Sequence, residues 1–290
     1  PSIDIIKEVH PWRARMFQAL KAIVKVFKDS TGNIRFAYPE KKNQYSEISN
    51  KIHHFATLNA GGSSKALFKA YSHLRKEHPD YLPLFIHENT EQCFYTNMHV
   101  QSDDFWFDEE AYIAQHGESD APLAHYQFLL ERLNDPAKSL RLEDCFGVLN
   151  YDNDAELAVF RKLTVSSHLP IDEDIPVYLL PTQKSSDLFA RMINGYFNDD
   201  LQPRQNYALI QHFTQNYGYT LMGIGATTLL FIRNKNPDST ISHSILEDLS
   251  KLYSIPSDKM KKVGELIAVN KFLVLPYTES LMGLPIDPHA

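Results

Sequence analysis

Gly61, Gly62, Ser63, Ser64 and Lys65 form the stretch of this chain best suited to holding an anion. They precede a helical pattern, so backbone N–H groups, two hydroxyls and an ammonium would converge on a phosphate or carboxylate. The GxxxxGK[ST] spacing of a P-loop is absent, and Lys65 falls within the first turn of the helix. The same five residues also read as a glycine stop followed by a serine cap, which needs no ligand.

His87, Glu88, Glu91 and Cys93 are residue types that bind zinc, but they show neither HExxH nor paired-cysteine spacing, so no metal and no cofactor is expected. His53 and His54 are consecutive and diverge by about 100 degrees on a helix, which keeps them from sharing an ion. The serines lack GxSxG and SxxK spacing, and neither Cys93 nor Cys145 sits in a thiolate-activating context. Catalytic residues stay unassigned.

The run Asp103, Asp104, Phe105, Trp106, Phe107, Asp108, Glu109, Glu110 mixes acids with aromatics. Its spacing is not that of an EF-hand loop, and acids before a helix complement the helix dipole. Aromatic rings among charges are good protein-contact material, which makes Asp103 to Asp108 the candidate contact segment. Two of the three rings serving in the core is the competing reading.

The whole chain has 290 residues, 43% of them hydrophobic and 22% charged, which is enough to bury a core and is unlike a disordered polymer. With 29 Lys and Arg against 36 Asp and Glu, the net charge is −7. That balance disfavours nucleic acid binding and favours a protein partner with a basic surface. Two distant cysteines suit a reducing compartment. Neither a membrane span nor a secretory leader is read, so the cytoplasm is the expected location.

The elements that must position these residues follow from periodicity. A long amphipathic helix is expected from Ile3 to Lys28 and a strand from Ile34 to Tyr38. Ser46 caps a helix running on through Phe55 and Leu58 to Gly61, and Ser63 caps one that buries Leu67, Tyr71 and Leu74. Tyr81 to His87 and Gln92 to Met98 read as a hairpin, Pro122 to Leu133 as a helix, and Cys145 to Leu149 and Ala158 to Val165 as strands. The acidic stretch His168 to Asp174 is the expected boundary between an N-terminal domain, 1–168, and a C-terminal domain, 169–290.

Beyond it come a strand at Pro176 to Leu180 and a helix from Ser185 or Ser186 to Asn194. A helix from Pro203 to the Gly218 stop follows, then a hairpin around Gly225 and Ala226. Helices from Ser239 and Ser257, a strand at Phe272 to Leu275 and a loose tail from Glu279 complete the chain. Mixed elements without βαβ alternation define an α+β class.

Three motifs in this second half carry a resemblance. They are Ile175-Pro176-Val177-Tyr178-Leu179-Leu180-Pro181, the helix Asn206 to Gly218 ending in Tyr217-Gly218, and Gly223-Ile224-Gly225-Ala226-Thr227-Thr228-Leu229. Together they resemble the bacterial family known as domain of unknown function 4253, over roughly Ile175 to Pro276. Ile255-Pro256-Ser257-Asp258 stands where that family tends to carry Cys-Pro-Asp, and the tryptophan-rich end is missing. The resemblance implies a fold unit and a bacterial source, and it supplies no catalytic residue.

The expected function is a cytoplasmic protein-binding module of inhibitor or immunity type. The alternative is an enzyme acting on a phosphorylated or nucleotide-like small molecule held at Gly61 to Lys65, with Asp103, Asp104 or Glu88 in the same cleft as Ser63 and Lys65.

Overall fold

The computed structural model describes residues 22–29, 32–39, 44–164, 169–284 and 286. Their centre is an eight-stranded mixed sheet in the order β1-β2-β3-β5-β4-β6-β7-β8. The strands are β1 Ala22–Asp29, β2 Gly32–Pro39, β3 Ala56–Asn59, β4 Leu82–Ile86, β5 Asp174–Leu180, β6 Thr220–Ile224, β7 Thr228–Ile232 and β8 Phe272–Pro276. Every pairing is antiparallel except β4 with β6, where Phe85 lies opposite Gly223. With its helices this is an α+β fold. Strands from both sides of the expected 168/169 boundary share the sheet, and β5 is hydrogen-bonded between β3 and β4.

Register shows which helix covers which face. Leu84 of β4 pairs with Tyr178 of β5, so both point the same way, and Phe85 points opposite. Tyr178 meets His54, the last residue of α1 (Glu47–His54), and the guanidinium of Arg191. Arg191 ends a 3-10 segment, Ser185–Arg191, and donates to the carbonyls of Ile52 and His53. Phe85 meets Tyr71 of α2 (Ser64–Glu77). Hence α1 and the 3-10 segment cover one face and α2 the other, and all five residues of β4 are buried. A continuous apolar run is what a strand covered on both faces requires.

The remaining helices are α3 Thr90–Val100, α4 Glu109–His116, α5 Ala121–Leu133, α6 Asp154–Thr164, α7 Pro203–Tyr217, α8 Ser239–Leu252 and α9 Lys261–Val269. Ser46 and Ser63 cap α1 and α2 as expected, and Gly218 closes α7 in the left-handed conformation at φ 66°. Among the described residues no helix is long and apolar enough to cross a membrane.

Several expectations are corrected. Residues 22–29 form a strand and not the end of a helix; the rest of that expected helix, residues 1–21, lies outside the described residues. Ala56 to Asn59 is a strand and not a helical continuation, because Phe55 N–H donates to Val177 O and Ala56 and Leu58 alternate inward. Gln92 to Met98 is helical, with Cys93, Thr96, Asn97 and Val100 buried at helical spacing. The helix α6 replaces the strand expected from Ala158, its N-terminus capped by Asn153 and its apolar stripe Leu157, Phe160 and Leu163. Cys145 to Leu149 is not a strand: Cys145 ends a 3-10 turn, Leu142–Cys145.

The start of the C-terminal tail is anchored. Glu156 accepts from the Ser280 hydroxyl at 2.7 Å and Leu281 N–H at 2.8 Å, and Asp200 accepts from Glu279 N–H at 2.9 Å. Burial, reinforced by the charges of Glu279 and Asp199, pushes the Asp200 carboxyl up to about 6 despite that bond. A raised acid holds its proton longer folded than unfolded. Its contribution to stability therefore falls as pH rises from about 4 to about 6, and the full cost is present above. Asp200→Asn keeps an acceptor oxygen without the charge. Melting curves are expected to show it more stable than wild type above pH 6 and level with it at pH 4. An equal difference at both ends would rule out ionisation as the cause.

Candidate functional site

The glycine turn forms with Gly61 at φ 52° and Gly62 at φ 70°, conformations that favour glycine. Ser63 is spent on capping, its hydroxyl accepting from Ala66 N–H at 3.3 Å. Ser64 and Lys65 open onto a groove of about 820 Å³ along the outer side of α2. Of the carboxylates expected to join them, Glu88 and Asp104 do not line it. Glu88 is turned into the β6–β7 hairpin, and Asp104 is paired with Lys138 and, at 3.3 Å, with Arg204.

His87, Glu88 and Thr228 form a buried chain at the end of β4. Glu88 Oε2 accepts from Thr227 N–H at 3.1 Å and from the Thr228 hydroxyl at 2.9 Å. Since that hydroxyl's proton is committed, His87 Nε2, 3.1 Å from Thr228 Oγ1, must carry the hydrogen between them. His87 Nδ1 is then an acceptor with no donor. Two glycines make room: a Cβ at Gly223 would lie 2.8 Å from His87 Nδ1, and one at Gly225 2.3 Å from Glu88 Oε2.

Burial pushes His87 down to about 4 and raises Glu88. Such a chain can relay a proton, but none of its members lines the groove along α2. Its evident work is tying β4 to the hairpin. Glu91 is exposed, and Cys93 is turned to Asn194, whose Nδ2 lies 3.2 Å from its sulfur. Burial, then the nearby Glu88 carboxylate, push that thiol well above its ordinary range.

The acidic-aromatic segment is divided by its surroundings. Asp103 opens a 3-10 turn, Asp103–Phe105, and Asp104 makes the two ion pairs above. Phe105 is 8% exposed beneath the Arg204 guanidinium, and Phe107 stacks on His125 at 4.8 Å. Asp108 caps α4 by accepting from Ala111 N–H. Trp106 alone of the three rings stands out, at 64%.

A larger aromatic face lies where no motif pointed. On α3, Tyr95 and His99 are one turn apart, with ring centroids 4.3 Å apart. His99 meets Tyr196 at 5.0 Å, and Tyr196 meets Phe197 at 5.3 Å. Tyr95, Tyr196 and Phe197 are 41%, 40% and 48% exposed, so the four rings form a contiguous surface and not scattered apolar residues. The loop behind Tyr196 is held by buried amides. Asn194 accepts from the Thr96 hydroxyl, and Asn97 Nδ2 donates to Ile193 O at 2.8 Å. Asn206 Nδ2 donates to the carbonyls of Asn194 and Leu201. Glu91, one turn before Tyr95, and Asp199, two residues after Phe197, are exposed and add negative charge.

The helical spacing of Tyr95 and His99 is legible once Gln92 to Met98 is read as helix. Their meeting with Tyr196 is not. Comparison of this α+β chain with known proteins finds no matching family, no matching curated protein and no matching solved structure.

Proposed function

We propose that this protein is a binding module that docks a partner protein through Tyr95, His99, Tyr196 and Phe197. The observation that carries the reading is the unbroken contact of four rings at the surface. Aromatic side chains offer large contact area for few rotatable bonds and dominate binding hot spots. Glu91 and Asp199 beside the rings favour a partner with arginine or lysine at its contact surface, through ion pairs and cation–π contacts. An inhibitor or immunity-like role in a bacterial cytoplasm is the specific form, the bacterial setting resting on the resemblance of residues 175–276.

The enzyme alternative keeps an anion-holding turn but loses the carboxylates expected to serve it, since Glu88 and Asp104 are engaged elsewhere.

Tyr196→Ala combined with Phe197→Ala removes two exposed rings and is expected to leave stability within about 0.5 kcal/mol of wild type. Capture from cells of the source organism is expected to yield a basic partner with wild type and with Trp106→Ala. With the double variant, affinity falls roughly thirtyfold, a typical loss for one hot spot. Retention by the double variant, or loss only with Trp106→Ala, would remove this face from consideration.

A further inference from the structure

The outer side of α2 carries a second surface of opposite charge. Its 14 residues hold Lys65, Lys69, Arg75 and Lys76 against the single acid Glu77, on a chain whose net charge is −7. Arg75 is engaged with the Tyr81 carbonyl. Lys65, Lys69, Ser72 and Lys76 fall at i, i+4, i+7 and i+11 and line the groove together, spanning roughly 16 Å of helix axis. Beside them Phe68 stacks on Phe272 of β8 at 4.5 Å and 20°, giving the groove a flat apolar side. Its volume, about 820 Å³, is in the range of small-molecule sites. Lys65 and Lys76 are exposed at its two ends.

We infer that this groove binds a phosphate-bearing small molecule of the nucleotide class, with Lys65 and Lys76 on the phosphates and the Phe68–Phe272 pair against the ring. Lys65 and Lys76 start from backbone positions roughly 16 Å apart along the helix axis, so their flexible side chains reach the groove from its two ends. That arrangement suits a chain of phosphates, which offers separate oxygens, better than one compact anion. Only Glu77 among the lining groups opposes that charge. The residues are distinct from the aromatic face on α3 and the 194–200 loop, so the two surfaces stand or fall separately.

Titration calorimetry with ATP, inorganic tripolyphosphate, adenosine and a glutamate-rich peptide tests this on the full chain. Wild type is expected to bind ATP and tripolyphosphate, more weakly as salt rises. Lys65→Gln with Lys76→Gln is expected to weaken both about tenfold or more without moving the melting curve. Phe272→Leu is expected to weaken ATP and spare tripolyphosphate. Absence of binding by either phosphate compound, an unaffected double-lysine variant, or preference for the peptide would overturn the site. Indifference of ATP to Phe272→Leu would overturn its assignment to nucleotides.

Discussion

Gly195→Ala is expected to cost about 4 kcal/mol or more, among the largest effects a single methyl can have. The residue sits at φ 106°, a region L-residues rarely enter, and a Cβ there would lie 2.1 Å from the Leu201 carbonyl oxygen. The obstacle is backbone and cannot swing aside. Leu201 O accepts from Asn206 Nδ2 at 2.9 Å, and Leu201 N–H donates to Tyr277 O at 2.8 Å, so both backbone polar groups of Leu201 are pinned. Because Tyr196 follows directly, any molecule that still folds is expected to present a displaced aromatic face and, on the proposed reading, to bind its partner more weakly. Gly283→Ala, where nothing lies within 4 Å, is the control and is expected to stay within about 0.5 kcal/mol. Urea midpoints decide the matter. A Gly195→Ala protein as stable as the control would mean the 195–202 loop rearranges freely.

The buried carboxylate gives the second large effect. Glu88→Ala strips the acceptor from Thr227 N–H and the Thr228 hydroxyl and leaves a small void, an expected loss of about 3 kcal/mol. Glu88→Gln keeps an oxygen for both donors and cannot ionise. Burial raises the Glu88 carboxyl despite the bonds from Thr227 and Thr228. Wild type therefore loses stability as pH rises from the ordinary carboxylate range through that raised value, while the glutamine variant does not. Relative to wild type, Glu88→Gln is expected to gain with rising pH and Glu88→Ala to remain well below Glu88→Gln throughout. Denaturant midpoints at acidic and alkaline pH measure this, and equal losses for Ala and Gln would show that shape, and not the acceptor, matters there.

Distant contacts fix what local patterns leave open, as the start of α3 shows. Its N-terminus is closed by Asp172, whose carboxylate accepts from Asn89 N–H, Thr90 N–H and the Thr90 hydroxyl. A carboxylate at a helix N-terminus satisfies free donors and complements the dipole. This one arrives from 82 residues away and adds to the local cap, Asn89, whose side chain accepts from Gln92 N–H at 3.4 Å. By contrast Ser46, Ser63 and Gly218 act on groups within a few positions of themselves, and the helix ends they close lie where the residue pattern places them. The acidic-aromatic segment shows the same limit at the level of the site. Which of its rings stays in solvent depends on Arg204 and His125, neither of which its composition names.

The Ser46 and Ser63 caps, the Gly218 stop, the β6–β7 hairpin and the α+β class were thus already present in the order of residues, because caps, stops and tight turns depend on backbone chemistry a few positions wide. The strand order, with β5 between β3 and β4, was not, since many pairings satisfy the same apolar runs and the packing of the whole selects one. That selection brings Asn194 to Cys93 across 101 positions and Tyr196 to His99, making one surface from two unremarkable stretches. It also sets Phe272 beside Phe68, turning a basic helix into one wall of a groove. Both proposed binding surfaces are therefore products of long-range packing, where side-chain contact, and not local propensity, decides what faces the solvent.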